Sequence, residues 1–141
     1  MASKSFGPYV DTDVILRLIT HDDFKKQEDS AKLFEKVEKG DLVLSAPDTV
    51  IADAVYVLSS PRLYNFPRAE IRDVLTAFLR LTNFKVDNKQ AVITALDFYA
   101  NSKIDFGDAL LIALTLQTKT KEIYSYDRDF DKFAGIKRKE P

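Results

Sequence analysis

Short apolar runs alternate along this chain with longer stretches whose apolar residues recur at helical spacing, and that alternation leaves few folds open. Strands separated by helices cannot pair as tight hairpins. They pair in parallel through right-handed crossovers and take helices on both faces. The expected strands are Tyr9-Val10, Leu42-Val43-Leu44, Phe84-Lys85-Val86 and Ile123-Tyr124-Ser125. Between them the 3.6-residue period predicts helices over Thr12 to Ile19, over 23 to 39 with Ala31, Phe34 and Val37 on one stripe, and from Val50 to Leu58. Further helices are expected from Pro67, with Ile71, Val74, Leu75, Phe78 and Leu79 inward, and over 88 to 101, with Val92, Ala95, Leu96 and Tyr99 inward. Gly107 to Gln117 is apolar on most faces and is expected to be central, and Asp129 to Phe133 forms a short last helix. Gly40 reads as a helix C-cap, while Ser45 and Pro47 read as a helix start. The fold class is therefore α/β, a helix–sheet–helix sandwich around a short central parallel sheet. Residues 1–7 read as a loose leader, expected to be disordered, and residues 8–141 as a single domain without repeats.

Composition then narrows the chemistry. The chain has no cysteine and one histidine, His21, which removes disulfides, thiolate nucleophiles, cysteine zinc sites and histidine-based triads. Any chemistry rests on carboxylates, hydroxyls and cations. No apolar run reaches the roughly 18 residues that span a bilayer, and the first residues lack a secretory core, so a cytoplasmic protein with no membrane partner is expected. A formal charge of −1 gives no global attraction to nucleic acid, so RNA binding needs a local basic patch.

Most acids here lie in mixed polar stretches that read as solvated faces. Four segments differ: Tyr-Val-Asp11-Thr-Asp-Val-Ile-Leu, Val-Ile-Ala-Asp53-Ala-Val-Tyr-Val-Leu, Ile-Asp105-Phe-Gly-Asp108-Ala-Leu-Leu and Ile-Tyr-Ser-Tyr-Asp127-Arg-Asp129-Phe. Each sets a carboxylate among apolar neighbours, where an isolated charge is expensive unless a cation or donors meet it. Oxygen ligands without histidine or cysteine favour Mg²⁺ or Mn²⁺. Asp11 and Asp127 follow expected strands, and Asp108 lies in the first turn of its helix, so these acids are expected at the carboxyl edge of the sheet, where ligands of such folds bind. Plainer roles are open as well. Asp11 and Asp105 fit helix N-caps, Asp53 fits an exposed helix position, and Asp127 and Asp129 fit turn acids.

In order and spacing these segments resemble the motifs of the PIN-domain ribonucleases, especially the VapC toxins of VapBC toxin–antitoxin pairs, over Tyr9 to Phe133. Val-Asp11-Thr12-Asp13 resembles the first motif, although Asn is commoner at the place of Asp13. Ser45-Ala46-Pro47 through Asp53 to Leu58 resembles the second, where Glu is usual, so Asp53 is one methylene short. Asp105-Phe106-Gly107-Asp108 resembles the third and Ser125-Tyr126-Asp127-Arg128-Asp129 the last. The resemblance implies a PIN-like three-layer α/β/α sandwich and a metal-dependent endoribonuclease. It implies Asp11, Asp53, Asp108 and Asp127 as catalytic and metal-holding residues, with Asp129 sharing or replacing Asp127 as a ligand. Thr12, Asp13, Asp105 and Ser125 would support them. It also implies an antitoxin whose C-terminal segment plugs the acidic groove formed by these carboxylates, and a homodimer.

Arg17, Arg62, Arg68 and Arg128 are candidate RNA contacts, together with the tail run Lys137-Arg138-Lys139. The aromatic loop Pro61 to Pro67 could stack bases or receive a partner, or tuck onto the core. Three other readings compete: a non-catalytic RNA-binding or regulatory module of the same fold, an RNA-processing nuclease without an antitoxin, and a phosphatase of haloacid-dehalogenase type using Asp11-Thr-Asp13. The last requires a tight turn after the second Asp, where this sequence reads as helix.

Overall fold

The computed structural model describes residues 7–141. The chain forms two compact units, Met1–Lys89 and Gln90–Pro141. Apart from Gly7, the leader expected over residues 1–7 lies outside the described residues. Helices and short strands alternate as expected, and both strand ladders are parallel.

The first unit opens with α1 (Thr12–Ile19) and α2 (Phe24–Lys39), followed by β1 (Leu44–Ala46), α3 (Asp48–Ser59), α4 (Arg68–Leu79) and β2 (Phe84–Val86). β1 is buried along its whole length, as a strand flanked on both edges should be. On one edge it pairs with β2, Leu44 opposite Phe84. On the other it bridges Tyr9: the Ser45 N–H donates to the Pro8 carbonyl at 2.9 Å, and the Val10 N–H donates to the Ser45 carbonyl at 2.9 Å. The first strand is thus a single bridge, and β1 lies two residues later than the apolar run Leu42-Val43-Leu44 suggested. Ser45, expected as a helix-start signal, is instead the middle residue of β1, and the start of α3 falls to Pro47 alone. Backbone pairing decided this register, since Leu44 donates its N–H to the Asn83 carbonyl and Asp87 donates to Ala46.

Helix boundaries follow from local chemistry. Pro47 and Pro67 occupy the N-cap positions of α3 and α4, where a fixed φ and a missing N–H do no harm. Gly40 ends α2 in the left-handed region (φ 84°), with its N–H shared between the Lys36 and Val37 carbonyls. α1 packs on α2 and α3, and α3 packs on α4. Ile15, Ile51, Leu58, Ile71, Leu75 and Phe84 are fully buried, and Phe34 meets Phe78 and Phe84 edge-on.

The second unit contains α5 (Lys89–Asn101), which begins at the boundary, then α6 (Phe106–Leu116), β3 (Glu122–Tyr124), a 3₁₀ turn (Arg128–Lys132) and β4 (Lys137–Lys139). Its core joins Ile112, Ile123 and Phe130 to Phe98, Ile104, Leu116, Phe133 and Ile136. α6 is apolar on most faces, but it is not enclosed on all of them, because Leu111 is 43% exposed.

β4 was not expected. A Lys-Arg-Lys run offers no apolar alternation, so the strand is defined by its partners. It pairs in parallel with β3, Ile123 opposite Arg138. Arg138, only 12% exposed along its side chain, binds Asp131 at 3.0 Å, Glu140 at 2.8 Å and the Ser125 carbonyl at 2.9 Å. Lys139 pairs with Glu122 at 2.9 Å. The expectation that the whole tail run is free to meet RNA is therefore corrected, since Arg138 is built into the fold.

Ile71 is fully buried on the inner face of α4. Replacing it by alanine should destabilise the protein by about 2–5 kcal/mol, read as a lower urea midpoint at unchanged slope.

Candidate active site

Every acid that stood out in the sequence is placed by the start or outer face of a helix or turn. In the first unit the chain leaves the Tyr9 bridge, passes the buried Val10 and reaches Asp11, which caps α1. Asp11 Oδ1 accepts the Thr12 N–H at 2.7 Å. Thr12 is buried and its hydroxyl donates to the Val50 carbonyl at 3.4 Å, tying the start of α1 to the first turn of α3. Its hydroxyl therefore serves the backbone. Asp53 lies one turn further along α3 and is exposed, as is Asp13 in the first turn of α1. Because Asp11 leads directly into helix, the tight turn that a phosphatase of haloacid-dehalogenase type requires is absent here.

In the second unit Asp105 caps α6, accepting the Asp108 N–H at 2.9 Å. Ser125 Oγ accepts the Asp127 N–H at 3.0 Å, and Asp127 Oδ1 in turn accepts the Asp129 N–H at 2.9 Å. Two successive side-chain-to-backbone bonds thus fix the segment after β3. Asp129 also pairs with Lys132 at 3.2 Å. These acids converge electrostatically on Asp108. Its carboxyl is pushed above the usual carboxylate range by partial burial, and further by the charges of Asp105, Asp127 and Asp129. The α6 N-terminus pulls the other way, favouring ionised Asp108. Desolvation and three like charges outweigh it.

The expectation of carboxylates sunk in apolar surroundings holds only in part. Asp108 is half-buried, whereas Asp11, Asp53, Asp105, Asp127 and Asp129 are exposed. The reason is helical geometry: each residue turns about 100° from the last, so apolar sequence neighbours occupy the opposite face. Around Asp53, for instance, Val50, Ile51, Ala54 and Val55 are buried while Asp53 and Tyr56 face out. Among the described residues, no three histidine, cysteine, aspartate or glutamate side chains are grouped so as to hold a metal ion.

The remaining expected positions divide in the same way. Arg17, in the last turn of α1, acts on Asp23 and Tyr64. Arg62 and Arg128 are exposed, while Arg68 is half-buried and engaged. In the 61–67 loop the Tyr64 hydroxyl binds Asp22, the Tyr64 ring meets Phe66 edge-on, and Phe66 is half-buried. Those aromatics are tucked in. Two exposed tyrosines that sequence reading passed over, Tyr124 and Tyr126, flank Ser125 instead. The signal was their alternation with buried Ile123.

The PIN domain family model matches residues 9–136. The chain belongs to the PIN-domain family, and the six helices and short parallel strands of its described residues are consistent with the PIN-like α/β/α fold. PIN domains are commonly nucleases and generally use divalent metal ions. No curated protein matches the sequence. No described helix is long and apolar enough to cross a membrane.

Asp108 supplies a test of the electrostatics. Its raised carboxyl favours the folded state fully below the ordinary carboxylate range, and that contribution is lost as pH rises through the raised folded value. In chelator, Asp108→Asn should therefore raise Tm at neutral pH and leave it unchanged near pH 3. Equal melting curves at both pH values would remove the repulsion described here.

Proposed function

We propose that this protein is an Mg²⁺- or Mn²⁺-dependent endoribonuclease, the toxin of a toxin–antitoxin pair, acting in the cytoplasm as one nuclease domain over residues 8–141. The observation that carries this reading is the field around Asp108, where partial burial and three further carboxylates disfavour ionisation and no cation of the described residues contributes. A donor set of oxygens alone suits a hard divalent ion, which would offset that repulsion. Bound there, such an ion would lower the pKa of a water and neutralise charge on the phosphoryl oxygens.

Asp11, Asp53, Asp108 and Asp127 are assigned to hold the ion and the attacking water, with Asp129 as a further ligand. Asp105, Asp13, Thr12 and Ser125 orient them, Asp105 and Ser125 through the N–H bonds they accept. Arg62 and Arg128 are exposed and suited to phosphate contacts. An antitoxin partner is supported by a groove of about 880 Å³ in the first unit, lined by Leu18, Phe34, Phe66, Val74 and Phe78 and flanked by Glu35, Glu38 and Glu70. An amphipathic segment with basic residues would match it. A homodimer belongs to the same reading.

One observation favours the non-catalytic RNA-binding alternative: no three described acids are grouped to hold an ion. Metal titration followed by an RNA cleavage assay separates the two. Wild-type protein should cleave RNA only with Mg²⁺ or Mn²⁺. Asp108→Asn and Asp11→Asn should each abolish cleavage while far-UV circular dichroism is unchanged, because Asn also caps a helix at position 11 and Asp108 caps none. Metal-dependent cleavage retained by both variants would discard the assignment.

A further inference from the structure

The open face of the β3–β4 ladder combines exposed aromatic rings with lysines. Partners in a parallel register present their side chains on the same face, so Tyr124 lies beside Lys139, and Glu122 beside Lys137. Ile123 and Arg138 take the opposite face, where Ile123 joins the core. Pairing reaches one residue past β3, as the Ser125 N–H donates to the Lys139 carbonyl at 2.9 Å, and the chain then bends at Tyr126, which is exposed like Tyr124. Their exposures are 65% and 71%. Lys139 is paired with Glu122 at 2.9 Å, whereas Lys137 forms no ion pair among the described residues. The ladder face with the bend that follows it therefore bears two exposed rings and one uncompensated cation, and the bend leads directly into Asp127.

Such a surface has the parts of a single-strand platform. Rings exposed in this way accept bases in stacking, and lysines beside them meet the phosphates. The backbone beneath is fixed by the Arg138 bond to the Ser125 carbonyl and by the Asp127 N–H bond to Ser125 Oγ, so little ordering accompanies binding. Lysines on the β4 strand argue against the other obvious occupant, a second copy adding a strand at that edge.

We propose that Tyr124 and Tyr126, with Lys137, form a stacking subsite for unpaired bases of an RNA strand leading to Asp127 and Asp108. The identity of the strand as RNA rests on the nuclease reading above.

The test measures binding of the full-length protein to a fluorescein-labelled oligoadenylate of about 12 nucleotides, in chelator so that nothing is cleaved. The control is an abasic ribose-phosphate oligomer of the same length. Wild type should bind oligoadenylate at least about tenfold more tightly than the abasic strand. Tyr124→Ala with Tyr126→Ala should erase that preference, and Tyr124→Phe with Tyr126→Phe should keep it, since the ring and not the hydroxyl stacks. Equal affinity of wild type and the alanine variant for oligoadenylate overturns the proposal. So does an alanine variant that changes sedimentation while binding oligoadenylate as before, because the face would then join copies of the chain. Cleavage with metal is assayed in parallel. Metal-dependent cleavage with tyrosine-independent binding removes this subsite and keeps the nuclease. Tyrosine-dependent binding without any cleavage keeps the subsite and removes the nuclease.

Discussion

The bond from a carboxylate oxygen to the backbone N–H groups just beyond it is the interaction on which the site depends. Asp11, Asp105 and Asp127 each make one, at the start of α1, α6 and the 3₁₀ turn. The first amides of a helix have no partner within it, and such an acceptor satisfies one of them. The bond fixes the side chain without recruiting lysine or arginine. It occupies one oxygen and leaves the other open. A cap and a ligand therefore need not be alternatives, because the geometry that ends the strand segment and starts the helix also aims the acid. Local stability and site geometry are set here by the same atoms.

The caps are delivered to their places by strand pairing. In the first unit β1 is held on both edges, by the Tyr9 bridge and by β2, and both of its neighbours run parallel to it. Parallel pairing brings Val10-Asp11 and Ala46-Pro47 out at the same end, so α1 and α3 begin side by side, and the Thr12 hydroxyl reaches the Val50 carbonyl. In the second unit β4 plays the corresponding part for β3. The Lys139 carbonyl and the Arg138 guanidinium hold Ser125, and Ser125 Oγ holds Asp127. A charged strand thus positions an acid through one serine.

How much of this was legible in the sequence depends on the range of the interaction. Helix starts at Asp11, Pro47, Pro67 and Asp105 and the stop at Gly40 were readable, because caps and breakers act within a few residues. The inner faces of α4 and α5 were readable for the same reason, with Ile71, Leu75, Val92 and Leu96 buried as the period requires. β1 was misplaced because its register is set by Pro8, Val10 and Asn83, which are distant in sequence. β4 was invisible because its partners are Glu122, Ser125 and Asp131, and nothing in Lys-Arg-Lys announces them. The acids were chosen by type and order, and of these Asp105, Asp127 and Asp129 act on Asp108. Their burial was overestimated because apolar neighbours in a helical sequence lie on another face.

Asp108 differs from the acids that belong to stabilising ion pairs. Several other acids in this chain have cations beside them, as in Asp29 with Lys25, Asp131 with Arg138 and Glu122 with Lys139. Such pairs lower the energy of the ionised acid. Burial disfavours ionised Asp108, and the charges of the described residues that act on it, those of Asp105, Asp127 and Asp129, are negative. The helix N-terminus that should favour its ionisation is partly spent on Asp105, which already accepts the Asp108 N–H. The fold holds this unfavourable group in place through the rest of α6, whose Phe106, Ala109, Ile112 and Ala113 are buried. Packing that gains nothing from a carboxylate at position 108 nevertheless fixes one there among three others. A destabilising charge held by packing is what singles Asp108 out from the solvated acids of this chain.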